Sequence, residues 1–297
     1  MKKKFVCESD NQERLDCFMN DIHKEYSRTF FQNIIKKGRL LVNEKQVYPS
    51  YKVKKNDVIE YSIEDTNEIL LEPENIPLNI IYEDNDIIVI NKQSNLVVHP
   101  SFGHKTGTLL NALLYHFKGK YNPFMVHRLD KDTTGAIIFA KNEKSKVSLS
   151  KQFQKRTIHK TYITAVMGTV FEEKGRIEAP LGRSLQNRKI IEVGPLAKKQ
   201  AITEFKVLSR NRDISLLEVH IITGRTHQIR SHMKYIGHPV LGDVSYGGSD
   251  HLKDIKFARQ MLHSYRVKFT HPTTSKQIEI VASLPNDMKD LFKNIKL

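Results

Sequence analysis

The side chains best equipped for chemistry stand together in His127-Arg128-Leu129-Asp130-Lys131-Asp132-Thr133-Thr134-Gly135. Carboxylates, cations, an imidazole and two hydroxyls are wedged there between two apolar runs, Phe124-Met125-Val126 and Ala136-Ile137-Ile138-Phe139-Ala140. Such a set could donate or accept protons at a reacting centre. The plainer reading is a polar turn in which an Asp–Arg pair holds a loop, and spacing alone favours it. A second dense cluster follows at Thr223-Gly224-Arg225-Thr226-His227-Gln228-Ile229-Arg230-Ser231-His232-Met233. Between the two lies a β-prone run carrying Lys160-Thr161-Tyr162, with Lys160 and Tyr162 on one face by alternation.

Several chemistries can be tested on spacing. The chain has 13 histidines, but His227 and His232 are five apart, off the helical zinc spacing, and no HExxH or thiolate pair is present. No metal is expected. A glycoside hydrolase would need two carboxylates flanking the bond, and Asp130 and Asp132 are too close in sequence for that. Asp132 is expected to cap the turn instead. A methyltransferase would need a Gly-rich nucleotide loop after a strand, and no GxGxxG-like run is present.

The elements that must position these residues belong to a chain of 297 residues, long enough for a small module and a larger one. The net charge of +15 points to a polyanionic partner, most simply nucleic acid. That charge is segregated: Asn56 to Asn91 holds ten acids and no Lys or Arg, leaving +25 on the remainder. Cys7 and Cys17 are the only cysteines, which excludes a disulfide framework and fits a reducing cytoplasm. The basic start lacks the apolar stretch of a signal peptide, and no run reaches membrane-spanning length.

In residues 1 to 62, Leu15, Phe18, Met19 and Ile22 share one face of a helix, and Ser27 is a good N-cap for the next. That second helix carries Phe30, Phe31, Ile34 and Ile35, ends in Lys36-Lys37 and stops at Gly38. Short strands follow at 40–42, 46–48 and 58–61. Residues 63 to 79, with Pro73, Pro77 and many carboxylates, read as an acidic linker that keeps its distance. Residues 80 to 297 form the large module. Strands are expected near 80–90, 157–168, 204–207 and 215–219, with helices after Thr108 and around Lys144–Gln154. Gly224 before a helical run suggests a sheet-to-helix turn in the second cluster, with Thr226 or Thr223 near the cap.

The first module resembles the S4 RNA-binding domain through Arg14-Leu15-Asp16, Ser27-Arg28, Ile35-Lys36-Lys37-Gly38, Val42-Asn43 and Asn56-Asp57-Val58-Ile59. The resemblance implies a helix pair with a short β-sheet, and an RNA-gripping face at Arg28, Lys36, Lys37 and Arg39. The remainder resembles pseudouridine synthases of the RluA/RluD type, which modify large-subunit ribosomal RNA. It does so through the 127–135 motif, Lys160-Thr161-Tyr162, Gly224-Arg225-Thr226-His227-Gln228-Ile229-Arg230 and His238-Pro239-Val240-Leu241-Gly242-Asp243. One departure is Asn91-Lys92-Gln93-Ser94-Asn95, where the family usually shows Lys-Pro and a later Gly.

The resemblance implies an α+β fold: a mixed, mostly antiparallel sheet with a central active cleft. It implies an isomerase that breaks a uridine glycosidic bond, turns the base and rejoins it through C5, with no metal or other cofactor. Asp130 would be the catalytic aspartate, attacking the sugar or abstracting a sugar proton. Arg230 would pair with it, favour its charged form and fix its direction. Tyr162 would stack on the flipped base or take the C5 proton. Arg128 would fill the space the uridine leaves or contact phosphate. His127, Arg225 and His227 would support the site or touch RNA. The expected molecule is a cytoplasmic monomer acting on ribosomal RNA, either free or in an assembling ribosome, or on transfer RNA. A non-catalytic RNA-binding or assembly protein would share the charge and the S4 features, and only the Asp130, Tyr162 and Arg230 set speaks against it.

Overall fold

The computed structural model describes residues 2–8, 10, 12–23, 26, 28–62, 71–100, 106–187, 189–195 and 197–294. The chain divides after Leu70 into two compact units. The small one contains β1 (Lys2–Val6), α1 (Leu15–Ile22), α2 (Arg28–Lys36), β2 (Leu40–Val42), β3 (Lys45–Gln46) and β4 (Val58–Ser62). Its strands form an antiparallel sheet in the order β1-β4-β2-β3. The apolar spacing of the helices accounts for the packing: Leu15, Phe18 and Met19 of α1 meet Phe31, Ile34 and Ile35 of α2 over Leu40, Val42 and Ile59. Ser27, expected to cap the second helix, lies outside the described residues.

The motif residues of this unit hold the helices together. Asp16 is fully buried and accepts from Arg14 Nε at 3.0 Å, Arg28 Nε at 3.1 Å and Gln32 Nε2 at 2.6 Å. Burial works against the charged carboxylate, but these donors outweigh it and hold Asp16 well below the usual carboxylate range. Arg28 is therefore partly committed to α1, with about half of its side chain still exposed. Lys36, Lys37 and Arg39 are exposed at the end of α2.

The large unit opens with β5 (Ile80–Glu83), β6 (Ile87–Lys92), α3 (Leu109–Phe117), β7 (Phe124–Met125), β8 (Thr134–Ala140), α4 (Glu143–Lys155) and β9 (His159–Met167). It continues with β10 (Lys174–Glu178), β11 (Gly182–Arg183), β12 (Ile191–Glu192), β13 (Ile202–Arg210), β14 (Ile214–Ile221) and α5 (Gln228–Tyr235). The last elements are β15 (His251–Leu252), β16 (Ile255–Lys256), β17 (Leu262–Thr270), β18 (Gln277–Val281) and α6 (Asn286–Asn294). Ten strands make one sheet, ordered β10-β13-β14-β9-β17-β8-β6-β5, with β7 against β8 and β18 against β17.

All pairs of that sheet are antiparallel except β8 with β17, where Thr134 faces His263 and Gly135 faces Ser264. Gly135 has φ +107°, and a Cβ there would lie 2.2 Å from the Ser264 carbonyl oxygen. Only glycine lets these two backbones approach. Thr108 caps α3, accepting from Asn111 N.

The stretch 71–79, expected within the linker, belongs to the large unit. Leu71, Ile76 and Leu78 pack against its core. The Glu74 carboxylate accepts from Gly107 N at 2.8 Å, and Asn111 Nδ2 donates to Glu72 O at 2.8 Å. Carboxylates read as solvating charge are here caps for a neighbouring loop.

Candidate active site

A cleft of about 450 Å³ opens over the middle of the sheet, lined by the residues before β8, the start of β9, the end of β14 and the loop into α5. Asp130, Tyr162 and Arg230 all border it, together with Arg128, Lys160, Arg225 and His227.

The turn that carries Asp130 is held from behind. Lys92, fully buried at the end of β6, donates to Lys131 O at 2.7 Å, Gln93 O at 2.8 Å and Leu96 O at 3.0 Å. Burial pulls its ammonium down to about 7, against the pull of Asp132 and Asp130, but three carbonyl acceptors match the three N–H groups of the charged form. Thr133 N closes the turn on Asp130 O at 3.2 Å. Asp132, expected to cap the turn, instead accepts from Asn95 N at 3.2 Å across the neighbouring loop. His263, at zero exposure, donates through Nε2 to Ala282 O, so its Nδ1 accepts the Thr134 hydroxyl at 2.8 Å. Burial lowers this imidazole to about 4 and keeps it neutral.

Asp130 leaves this turn with 20% of its side chain exposed and accepts from Arg230 Nη1 at 3.2 Å. Arg230 belongs more tightly to another carboxylate. Its Nε and Nη2 reach Asp243 Oδ2 and Oδ1 at 2.6 and 2.8 Å, a fork-to-fork pair on a residue only 2% exposed. Its guanidinium also stands 4.7 Å over the Tyr246 ring. Burial works against the Arg230 charge, yet Asp243 and then Asp130 more than restore it, so its pKa is raised. Sequence reasoning marked Asp243 only as part of a motif. Gly242, at φ +82°, brings it in, because a Cβ there would lie 1.9 Å from Arg259 O.

His227 precedes α5 in the left-handed region, φ 52°, an unusual and strained state for a residue with a Cβ. Its Nδ1 lies 2.8 Å from the Tyr246 hydroxyl, which also accepts from Ile191 N at 2.9 Å. Tyr246 is fully buried, and among the described residues its own hydrogen has no other acceptor than Nδ1. The reverse arrangement would strand that hydrogen at a cost of about 1–3 kcal/mol. Tyr246 therefore donates to Nδ1, and Nε2 carries the imidazole proton. Burial lowers the His227 pKa, against the raising effect of Asp130. The Nε2 atom stands 3.9 Å from Asp130 Oδ1.

Thr226 stands next to the N-cap of α5, His227, whose side chain makes no cap bond. Gln228 organises the loop: its Oε1 accepts from Arg225 N at 3.0 Å and the Thr223 hydroxyl at 2.8 Å, while Nε2 donates to Ile202 O at 2.9 Å.

Tyr162 is 5% exposed on β9, and burial drives its phenol far above its ordinary range. Lys160 shares its face, 5.3 Å from the Phe153 ring, and burial lowers its ammonium to about 8. Arg128 is exposed on the cleft wall and makes no hydrogen bond or ion pair among the described residues. Arg225, also exposed, donates to Gln200 O at 3.1 Å. His127, expected to support the site or touch RNA, is turned into the wall. Its Nε2 accepts from Ile138 N at 2.9 Å, and its ring packs on Phe153 with centroids 4.9 Å apart. Burial holds it well below its ordinary pKa.

Outside the cleft, Asp84, Asp86 and His271 converge within 4.8 Å. Protein donors occupy them: Asp86 N and Ile87 N on Asp84, Asn142 and Ser145 on Asp86, and His271 Nε2 on Asp84 at 2.8 Å.

A carboxylate in a cleft walled by cations, behind an S4-like module, defines an enzyme that works on RNA. The chain belongs to the RNA pseudouridylate synthase family, whose model matches residues 86–235, while the S4 domain model matches residues 13–59. Among its relatives is an uncharacterized RNA pseudouridine synthase of Bacillus subtilis, 39% identical, with 97% of this chain and 96% of that protein covered. Another is ribosomal large subunit pseudouridine synthase D of Haemophilus influenzae, 39% identical, covering 96% and 91%. Among solved structures, human RNA pseudouridylate synthase domain containing 1 superposes with a TM-score of 0.59 at 28% identity, covering 71% of this chain and 85% of that one.

Proposed function

We propose that this chain isomerises uridine to pseudouridine in large-subunit ribosomal RNA, with Asp130 as the acting carboxylate. The observation that carries the reading is Asp130 itself: a partly exposed carboxylate in a basic cleft, aimed by a buried arginine. The target uridine must leave its stack, at a cost of about a few kcal/mol. The exposed Arg128 is free to take up the vacated space. The flipped base lies against Tyr162, Ile229 and Leu262. A phenol held neutral by burial suits Tyr162 to stacking better than to proton abstraction.

Asp130 either attacks C1′ or takes a ribose proton; in both cases the C1′–N1 pair enters the uracil ring, and C5 then returns a pair to C1′. The substrate assignment is supported by relatives named for the large ribosomal subunit. We place the chain in the cytoplasm as a monomer, with Lys36, Lys37 and Arg39 of the S4 unit on RNA backbone. Among the described residues no helix is long and apolar enough to cross a membrane. The test is Asp130→Asn on large-subunit RNA from cells lacking the chain. The variant should bind the RNA and form no pseudouridine; turnover by it would reject the assignment.

A further inference from the structure

The mechanism above gives His227 no task, although it is set into the cleft within reach of the reacting carboxylate. Its proton is assigned by its neighbours: Ile191 N occupies a lone pair of the Tyr246 hydroxyl, and that hydroxyl donates to Nδ1. The imidazole therefore presents an Nε2–H that has no hydrogen-bond partner among the described residues. At 3.9 Å from Asp130 Oδ1 it is too far for a direct bond, which leaves the N–H available to an acceptor that approaches both groups from the cleft.

The chemistry of the substrate says which atom. Asp130 acts on the ribose at or beside C1′. A donor next to it meets acceptors a few bonds from C1′, of which uridine has the ring oxygen O4′, the 2′-hydroxyl and the uracil O2. Only O2 gains charge when the C1′–N1 bond breaks, because the bonding pair spreads from N1 onto O2 and O4. A donor on O2 thus binds the transition state more strongly than the ground state.

We propose that His227 is a further catalytic residue, whose Nε2–H binds the uracil carbonyl beside the glycosidic bond: O2 while that bond breaks, and O4 once the base has turned. Uracil makes this possible. A half-turn about the line through N3 and C6 exchanges N1 with C5 and C2=O2 with C4=O4. The turn that presents C5 to C1′ therefore sets O4 where O2 had been. One fixed donor serves both halves of the reaction. The C5 proton is lost, N1 gains one, and the imidazole ends as it began. The inference rests on the Asp130 reading.

The test uses the full chain in single-turnover reactions on large-subunit RNA from cells lacking it. His227→Ala should slow isomerisation by about 10²–10³-fold with RNA affinity retained. His227→Gln, whose carboxamide N–H reaches the Nε2 position, should keep the rate within about tenfold of the parent. His227→Asn tolerates the left-handed backbone but falls short, and should be as slow as Ala. If the alanine variant fails to fold, the Gln–Asn pair decides. Near-parental turnover by Ala or Asn, or Gln as slow as Asn, overturns the proposal. An inert Asp130→Asn beside a fully active His227→Ala rejects this inference alone, whereas an active Asp130→Asn rejects the reading beneath it.

Discussion

Arg230 shows how much of a site one residue can hold and how little of that a motif reveals. That Asp130 and Arg230 would share a site was suggested by the long, unusual runs of side chains around them, and Tyr162 was added only by the family resemblance; the three do line one cleft. Asp243 and Tyr246 were not legible, since their meaning is an arrangement around Arg230 rather than a composition. Asp243→Asn removes the charge that balances a buried guanidinium. We expect about 3–5 kcal/mol of lost stability in denaturant unfolding, and isomerisation at least about tenfold slower. A parental unfolding midpoint would contradict this. His263 makes a pH prediction. Its folded pKa, about 4, lies below the ordinary 6.5, so the unfolded chain binds the extra proton first. Stability conferred by the neutral ring is complete above pH 6.5 and falls as the pH drops towards 4, by up to about 3 kcal/mol. His263→Gln should flatten unfolding free energy across that window; an unchanged slope would show that other groups set it.

At the scale of elements, the helices and most strands followed from apolar spacing, but two assignments failed for reasons that charge explains. β1 begins with three lysines, which hide a strand paired with β4 from Lys2–Ser62 to Val6–Val58. The prolines and acids of 71–79 suggested a tether, yet their backbone and carboxylates cap a loop and helix of the large unit. The sheet order was not legible at all, because β8 meets β17 across about 130 residues of sequence. The same crossing explains the last residue of the 127–135 motif. Gly135→Ala would drive a methyl group into the Ser264 carbonyl, so we expect little soluble protein and a loss above about 3 kcal/mol in any that is recovered. Lys92→Met takes the donor from three carbonyls behind Asp130, of which that of Leu96 is buried. It should lower the melting temperature by several degrees, equivalent to about 3 kcal/mol, and slow isomerisation with it. Full activity would mean the turn holds itself.

For the whole molecule, segregated charge made an RNA partner legible before any fold was known. It did not say which cations are available. Arg28 is half engaged with Asp16, while Lys36, Lys37 and Arg39 stand exposed. Reversing those three to glutamate should weaken RNA binding, flatten its salt dependence by up to about three counterions and leave the saturating rate intact. An unchanged slope would move the grip elsewhere. The sheet order has a consequence in time. Asp130 stands just before β8 and Tyr162 on β9, and the strand between those two is β17, synthesised about 100 residues or more after either. Until residues 262–270 slot in, the two halves of the site have no shared wall. A nascent chain can therefore carry every motif and still be inert, and it acquires its chemistry only once residues 262–270 have followed them.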